Sequence, residues 1–366
     1  MSLNELMLRE ILDQPRLASA ELGRFRQEAV AAVRSLDNAG GRIIVAGCGD
    51  SWIAGCALEP AARALCGPAR AVHVLQSFEA ARYFPFQSGD VLIACSVSGE
   101  VARTIETAEV GRQAGARVIG ILAQPTSTLA RLSDAVVRLP EPMARHTPHS
   151  RDYLATLLAL GTVFEALSEQ PVPALDATGT TLAAHLPAWR DRARQLAPLL
   201  AAAQRLFLLG AGPNWGSAMY GAAKLWEAGG ILAFAQELEE FAHGEHMLAD
   251  EGDAVVLVAP SGPGSARAGE MLGGFLELGL DVTVVGEVPN APAAVGVVPL
   301  PVFPELWSPL IVAAPLQLLC YEIAGCRGLD VERPLGGRSR GEIFDSVHAA
   351  WTRQPTPHIT TRDVVL

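Results

Sequence analysis

Apolar residues along this chain come in short unbroken blocks, each ending in a glycine-containing polar turn and followed by a longer stretch of helical periodicity. RIIVAGCGDSW (42–52) and RLFLLGAGPNW (205–215) each carry an apolar run, a Gly-x-Gly turn, a polar pair and a tryptophan. GDVLIACSVSGE (89–100) is matched by GDAVVLVAPSGP (252–263), and AGARVIGI (114–121) by LGLDVTVVG (278–286). Blocks without alternation predict strands buried on both faces, as in a parallel sheet. The same order of blocks occurs twice, so the chain reads as an internal repeat.

Each half reads strand–loop–helix, strand–loop–helix, strand. That predicts two tandem doubly wound α/β units with parallel sheets, each a three-layer α/β/α sandwich. The expected divisions are an N-terminal helix at 1–20, a first domain at 21–167, a linker at 168–184, a second domain at 185–334 and a tail at 335–366. The tail shows no clear periodicity. In such sheets ligands sit at the carboxyl ends of strands, beside helix N-termini. The loops GCGDSW and SVSGEVART are therefore the places to look for chemistry.

Composition narrows the class. The 366 residues are 50% hydrophobic and 18% charged, enough apolar content for a large core. A net charge of −11 argues against a nucleic-acid surface or an acidic membrane as partner. Six cysteines lie scattered without CxxC spacing, which suits reduced thiols in a cytoplasmic protein rather than a metal site or disulfides. The charged start lacks a signal-like apolar run, and no run of about 18 uninterrupted apolar residues is present. Of 28 basic residues, Lys224 alone is lysine.

GCGDSW does not complete a dinucleotide fingerprint, because Trp52 stands where the third glycine belongs. SVSGEVART is more informative. Ser96 and Ser98 offer hydroxyls, Gly99 allows close backbone approach, and a helix begins near Glu100. Such a loop is a phosphate cradle that requires no metal, with Arg103 as an added donor, or else a serine-rich cap without ligand. The equivalent loop of the second half, APSGPG, loses one serine and gains prolines, so its cradle is expected to be structural.

The tandem repeat, the S-x-S-G loop, the MLREILDQP start and the segments YGAAKLWE and EEFAHGEHM together resemble the SIS (sugar isomerase) domain family. The likeness covers about residues 5–340, and is nearest to the isomerase half of glucosamine-6-phosphate synthase and to stand-alone phosphosugar isomerases, deaminases and deglycases. It implies two SIS domains per chain and a homodimer with a shared active site. It also implies a sugar phosphate as small-molecule partner and no cofactor. Ser51, Ser96 and Ser98 match the family's phosphate-binding hydroxyls, and Cys48 and Gly49 match the loop beside the sugar. Val97 and Val101 stand in place of a glutamine and a threonine, which thins the phosphate site. In PMARHTPHSRDY (142–153), Arg145, His146, His149 and Arg151 occupy a loop that normally carries a glutamate and a Val-Ala-Ser-Thr-like run. Arg145 and His149 are thus candidate substrate contacts, or members of a solvated basic loop.

On a helix, Lys224 and Glu227 share a face. The resemblance gives the Glu227 position the proton transfer between C1 and C2 of an open-chain sugar, with Lys224 in support; the plain alternative is a surface ion pair. His243 matches a histidine that opens the sugar ring, often from the neighbouring subunit, and Glu240 matches a second acidic position. His243 could equally be a helix-end residue. Near the C-terminus the family's Schiff-base lysine falls at about Ser339, so that route is closed, and no glutaminase segment is present. The expected activity is aldose–ketose isomerisation or loss of an amine from an amino-sugar phosphate, with a non-catalytic phosphosugar sensor as the alternative.

Overall fold

The computed structural model describes residues 5–36, 40–67, 70–143, 148–288 and 291–354. The chain opens with α1 (Glu5–Arg34) and then runs β1 (Ile43–Gly47), α2 (Asp50–Cys66), β2 (Val72–Gln76), α3 (Ser77–Tyr83) and β3 (Val91–Cys95). The first half continues through α4 (Ala102–Gln113), β4 (Arg117–Leu122), α5 (Thr128–Leu132), β5 (Ala135–Arg138) and α6 (Arg151–Ser168). The second half comprises α7 (Pro173–Ala202), β6 (Leu206–Gly210), α8 (Pro213–Gly229), β7 (Ala233–Glu237), α9 (Leu238–His243), β8 (Ala254–Ala259) and α10 (Pro263–Glu277). It closes with β9 (Asp281–Gly286), β10 (Gly296–Val298), α11 (Pro309–Cys326) and α12 (Gly341–Arg353).

Both sheets are parallel and five-stranded, ordered β2-β1-β3-β4-β5 and β7-β6-β8-β9-β10. The repeat seen in the sequence is therefore a repeat of topology. The unbroken apolar blocks are central strands: every residue of β1, β3, β6 and β8 is buried. Strand order reverses between β1 and β3, and between β6 and β8, which opens a crevice at those carboxyl ends.

An arginine–aspartate pair staples each sheet at its opposite end. Arg42 at the start of β1 meets Asp90 before β3 at 2.6 Å, and Arg205 meets Asp253 at 2.7 Å in the equivalent place. The two halves then join through their first crossover helices. α2 and α8 pack antiparallel so closely that a Cβ on Gly216 would collide with the backbone of Ala57.

Three boundaries differ from expectation. α1 continues to Arg34, because Met7, Ile11, Leu22, Phe25 and Ala29 keep one face buried past residue 20. The linker shrinks to the few residues between α6 and α7, since α7 begins at Pro173, a residue suited to a first helical turn. The tail contains α12, whose apolar residues Ile343, Phe344, Val347 and Trp351 stay exposed. α11 is long and apolar enough to cross a membrane by composition, but it is a mostly buried core helix packed on α7 and α8.

Candidate active site

The β1–α2 and β3–α4 loops start side by side, because Gly47 and Cys95 are register partners in neighbouring strands. Gly49 takes a positive φ of 53° that turns the chain into α2 and leaves Asp50 in its first turn. Thr104 of α4 ties the loops together: its hydroxyl is 3.0 Å from that of Ser77 and 3.9 Å from Cys48 Sγ. That fully buried threonine braces the site rather than facing it.

In the β3–α4 loop, Ser96 Oγ accepts from the Gly99 amide and Ser98 Oγ from the Glu100 amide, both at 3.2 Å. Gly99 has φ 67°, and a Cβ there would collide with Ser127 Oγ, so this position is closed to other residues. No side chain caps α4. Its first amides thus remain available to an anion, as a phosphate cradle requires. Arg103 is engaged elsewhere. It pairs with Glu106 and donates at 2.5 Å to the carbonyl of Gln354, just beyond α12, so the tail reaches across to α4 beside the cradle.

The second half shows what a closed cradle looks like. Gly264 in the first turn of α10 donates at 3.1 Å to the carboxylate of Glu305, which also packs against Gly262. An internal carboxylate occupies the place where an anion would bind.

Lys224 lies on α8, fully buried. Its ammonium is 2.6 Å from Asp50 Oδ2, 2.6 Å from Glu227 Oε2 and 3.4 Å from the carbonyl of His149. An ammonium has three protons, and here each has an acceptor. Desolvation works against the charge, but Asp50 and Glu227 more than offset it and hold the Lys224 pKa above the ordinary lysine value. A lysine so saturated and so firmly protonated is no nucleophile; it is a fixed cation joining the halves.

For Glu227, desolvation in the cleft pushes the carboxyl upward, Lys224 opposes this and Asp50 adds to it, with a net rise. The side chain remains 42% exposed, so it reaches solvent from the rim of the cluster. A carboxyl with a raised pKa and an open face suits reversible proton transfer.

The carbonyl of His149 also accepts from Tyr220 Oη at 3.0 Å, and Tyr220 accepts in turn from Gln317 at 2.7 Å. Tyr220 stacks on Tyr153 at 3.6 Å between centroids. The His149 ring meets Asp152 Oδ2 through Nδ1 at 2.8 Å. The Asp152 hydrogen bond raises the His149 pKa, against desolvation.

Lys224 thus ties Glu227 and the carbonyl of His149 to Asp50, in the loop region of Cys48, Gly49 and Ser51, and strand register sets that loop beside the one carrying Ser96, Ser98 and Gly99. Among the described residues, three more expected residues lie apart from these groups. His243 ends α9 with its side chain 71% exposed, 3.6 Å from Glu239, and Glu240 is exposed on the same short helix. Ser339 is exposed in the turn before α12, and Arg145 lies outside the described residues. Asp50, Asp152 and Tyr220 are additions. Asp50 had a readable sign, because the repeat partner of this acidic loop residue is Pro213. A cleft of about 660 Å³ among α1, α6 and α7, lined by Arg26, Glu165 and Asp176, lies away from these groups and is not the seat of this chemistry. Among the described residues no cluster of metal-ligating side chains is found.

The SIS domain family model matches residues 35–166 and 199–266, which hold the whole first sheet and β6, β7 and β8 of the second. The chain belongs to the SIS domain family. It is 28% identical over 311 residues to a glutamine–fructose-6-phosphate aminotransferase (isomerizing) of Gloeobacter violaceus, covering 80% of this chain and 50% of that protein. The chain spans about half the length of such curated relatives. Among solved structures, the C-terminal domain of the Francisella tularensis glucosamine-fructose-6-phosphate aminotransferase superposes with a TM-score of 0.76 at 21% identity, covering 89% of this chain and 97% of that one. Glucosamine-6-phosphate deaminase of Thermotoga maritima gives 0.70 at 19% identity, with 90% and 97% covered. This SIS protein therefore shares its two-domain fold with aminotransferase and deaminase enzymes.

Proposed function

We propose that this SIS protein is a phosphosugar isomerase-type enzyme that moves a proton between C1 and C2 of a sugar phosphate or amino-sugar phosphate. The observation that carries the reading is the saturated ammonium of Lys224, which ties one oxygen of Glu227 to Asp50 at the start of α2 while the Glu227 side chain stays 42% exposed. The Ser96–Gly99 loop and the N-terminus of α4 hold the phosphate, with Ser51 near by at the start of α2. Glu227 takes the proton from one carbon of the open-chain sugar and returns it to the other through an enediol or enediolamine. With a neutral ketose the outcome is isomerisation; with an amino sugar, the resulting imine is hydrolysed and the amine leaves. Ser339 offers no amine for a Schiff base, and Lys224 is committed to Glu227, so covalent capture of the ketose is not part of the scheme.

The test is exchange of the C1 protons of fructose 6-phosphate and of the C2 proton of glucosamine 6-phosphate in heavy water, followed by NMR. Exchange by the wild type, lost by about 10²- to 10⁴-fold in Glu227→Gln, supports the reading. Binding of a phosphosugar without exchange overturns it in favour of a sensor.

A further inference from the structure

The MLREILDQP start of the chain sets two polar residues, Glu10 and Gln14, on the buried face of α1 beside Met7, Ile11 and Ala18. They stand one helical turn apart and are wholly buried, where apolar side chains would serve if burial alone mattered. Each is bonded instead to another element. Glu10 Oε2 accepts from the Ser150 hydroxyl at 2.9 Å and from the Ser150 amide at 3.3 Å. Gln14 Nε2 donates to Gln317 Oε1 on α11. Gln317 Nε2 donates in turn to the Ser150 carbonyl at 3.1 Å and to Tyr220 Oη at 2.7 Å. Tyr220 Oη then donates to the His149 carbonyl, which is the third acceptor of the Lys224 ammonium. An unbroken line of hydrogen bonds thus runs from α1 to Lys224, and the side chains of Gln14, Gln317, Tyr220 and Lys224 are all fully buried.

Ser150 adds an independent sign. It stands at the N-cap of α6, where a serine hydroxyl usually accepts from an amide of the first turn. It makes no such bond and gives its hydroxyl to Glu10. A bond within the helix would fix only the helix end; a bond to α1 fixes where that end sits. The two carbonyls at that end, of His149 and Ser150, are the ones that the line holds.

We propose that Glu10 and Gln14 are positioning residues for the proton transfer at Glu227. They set the start of α6 and the His149 carbonyl, and thereby the ammonium that holds Glu227. The inference rests on the proposed C1/C2 proton transfer and extends its machinery to α1, a helix that precedes the residues matched by the family model. Asp50 and Glu227 both lie 2.6 Å from Lys224 Nζ and share it with that carbonyl at 3.4 Å. A carbonyl that shifts changes how the two carboxylates divide the ammonium.

Lys224 is the chain's single lysine, so protein made with isotopically labelled lysine gives one side-chain ammonium signal. The experiment reads that signal by NMR beside C1 proton exchange of fructose 6-phosphate in heavy water, on variants of the full chain. Gln14→Met, close in shape, is expected to move the ammonium signal and to speed its exchange with water at least about threefold. It should also lower kcat about tenfold with KM changed less than about twofold. Glu10→Leu should act in the same way, and Glu10→Gln, which keeps an oxygen for Ser150, should recover most of that loss. Should Glu10→Leu fail to fold, Gln14→Met alone decides. An unmoved ammonium signal in Gln14→Met overturns the inference, and leaves the proposed function standing where the wild type exchanges and Glu227→Gln does not. A moved signal with unchanged kcat, or a loss confined to KM, overturns it as well. No exchange by the wild type overturns the proposed function and the positioning role with it.

Discussion

Lys224 Nζ lies 2.6 Å from Asp50 Oδ2, a contact that spans 174 residues of chain and joins the first crossover helices of the two domains. The pseudo-symmetric position cannot form it, since the repeat partners of Asp50 and Lys224 are Pro213 and Ala61. Fold symmetry therefore builds two crevices, and this ion pair marks one of them as chemically different.

Removing the ammonium should leave Asp50 and Glu227 facing each other with no compensating charge. Lys224→Ala is expected to destabilise the protein by about 3–5 kcal/mol, the usual effect of breaking a buried pair, and to abolish proton exchange. Lys224→Arg keeps the charge but places a planar fork where a compact ammonium meets three acceptors, so exchange should fall at least about tenfold with a smaller stability loss. Urea denaturation and heavy-water NMR on the two variants separate these effects. Full activity in Lys224→Arg would reduce this lysine to an ordinary ion-pair partner.

Asp50 should act on Glu227 through charge. Its negative charge helps to raise the Glu227 pKa, and it competes for Lys224. Asp50→Asn removes the first effect and leaves more of the ammonium to Glu227, so both changes lower that pKa. The acid limb of the kcat/KM profile should move to lower pH in this variant. A move to higher pH, or none, contradicts the arrangement.

The staple at the head of the first sheet should appear in acid stability. Burial pushes Asp90 up, but hydrogen bonds from Arg42 and the Gln87 amide outweigh it and hold the carboxyl below its ordinary value. For a depressed carboxylate, the contribution is complete above the unfolded-state pKa of about 4 and is lost as pH falls through the lower folded value. The urea midpoint of the wild type should therefore drop below about pH 4 more steeply than that of Asp90→Asn.

Much of this arrangement is legible in the sequence. The strand blocks, their repetition and the S-x-S-G loop follow from local patterns of 5–12 residues, and each became the expected element. Lys224 and Glu227 share a helical face, so their contact was readable too. Asp50–Lys224 and the carbonyl of His149 were not, because those partners meet only once α2 and α8 pack antiparallel and the start of α6 reaches Lys224. Nor does the sequence reveal that His243 stays on the surface of its own chain. The run of α1 beyond residue 20 shows the same limit at low resolution: a buried helical face was mistaken for the start of a domain.

Glu305 supplies the last prediction. Its carboxylate fills the N-terminus of α10, the repeat counterpart of the open cradle at α4. Desolvation pushes this carboxyl upward against the Gly264 amide, so the contact costs part of what it gains. Glu305→Ala should expose the Gly264 amide to solvent anions while leaving the sheet intact, because Glu305 belongs to none of the apolar clusters. Titration with inorganic phosphate should then shift the Gly264 amide resonance in the variant and not in the wild type, with the Ala102 amide in the first turn of α4 responding in both. A Gly264 resonance that ignores phosphate in Glu305→Ala would mean that the prolines of this loop, rather than the carboxylate, closed the second cradle.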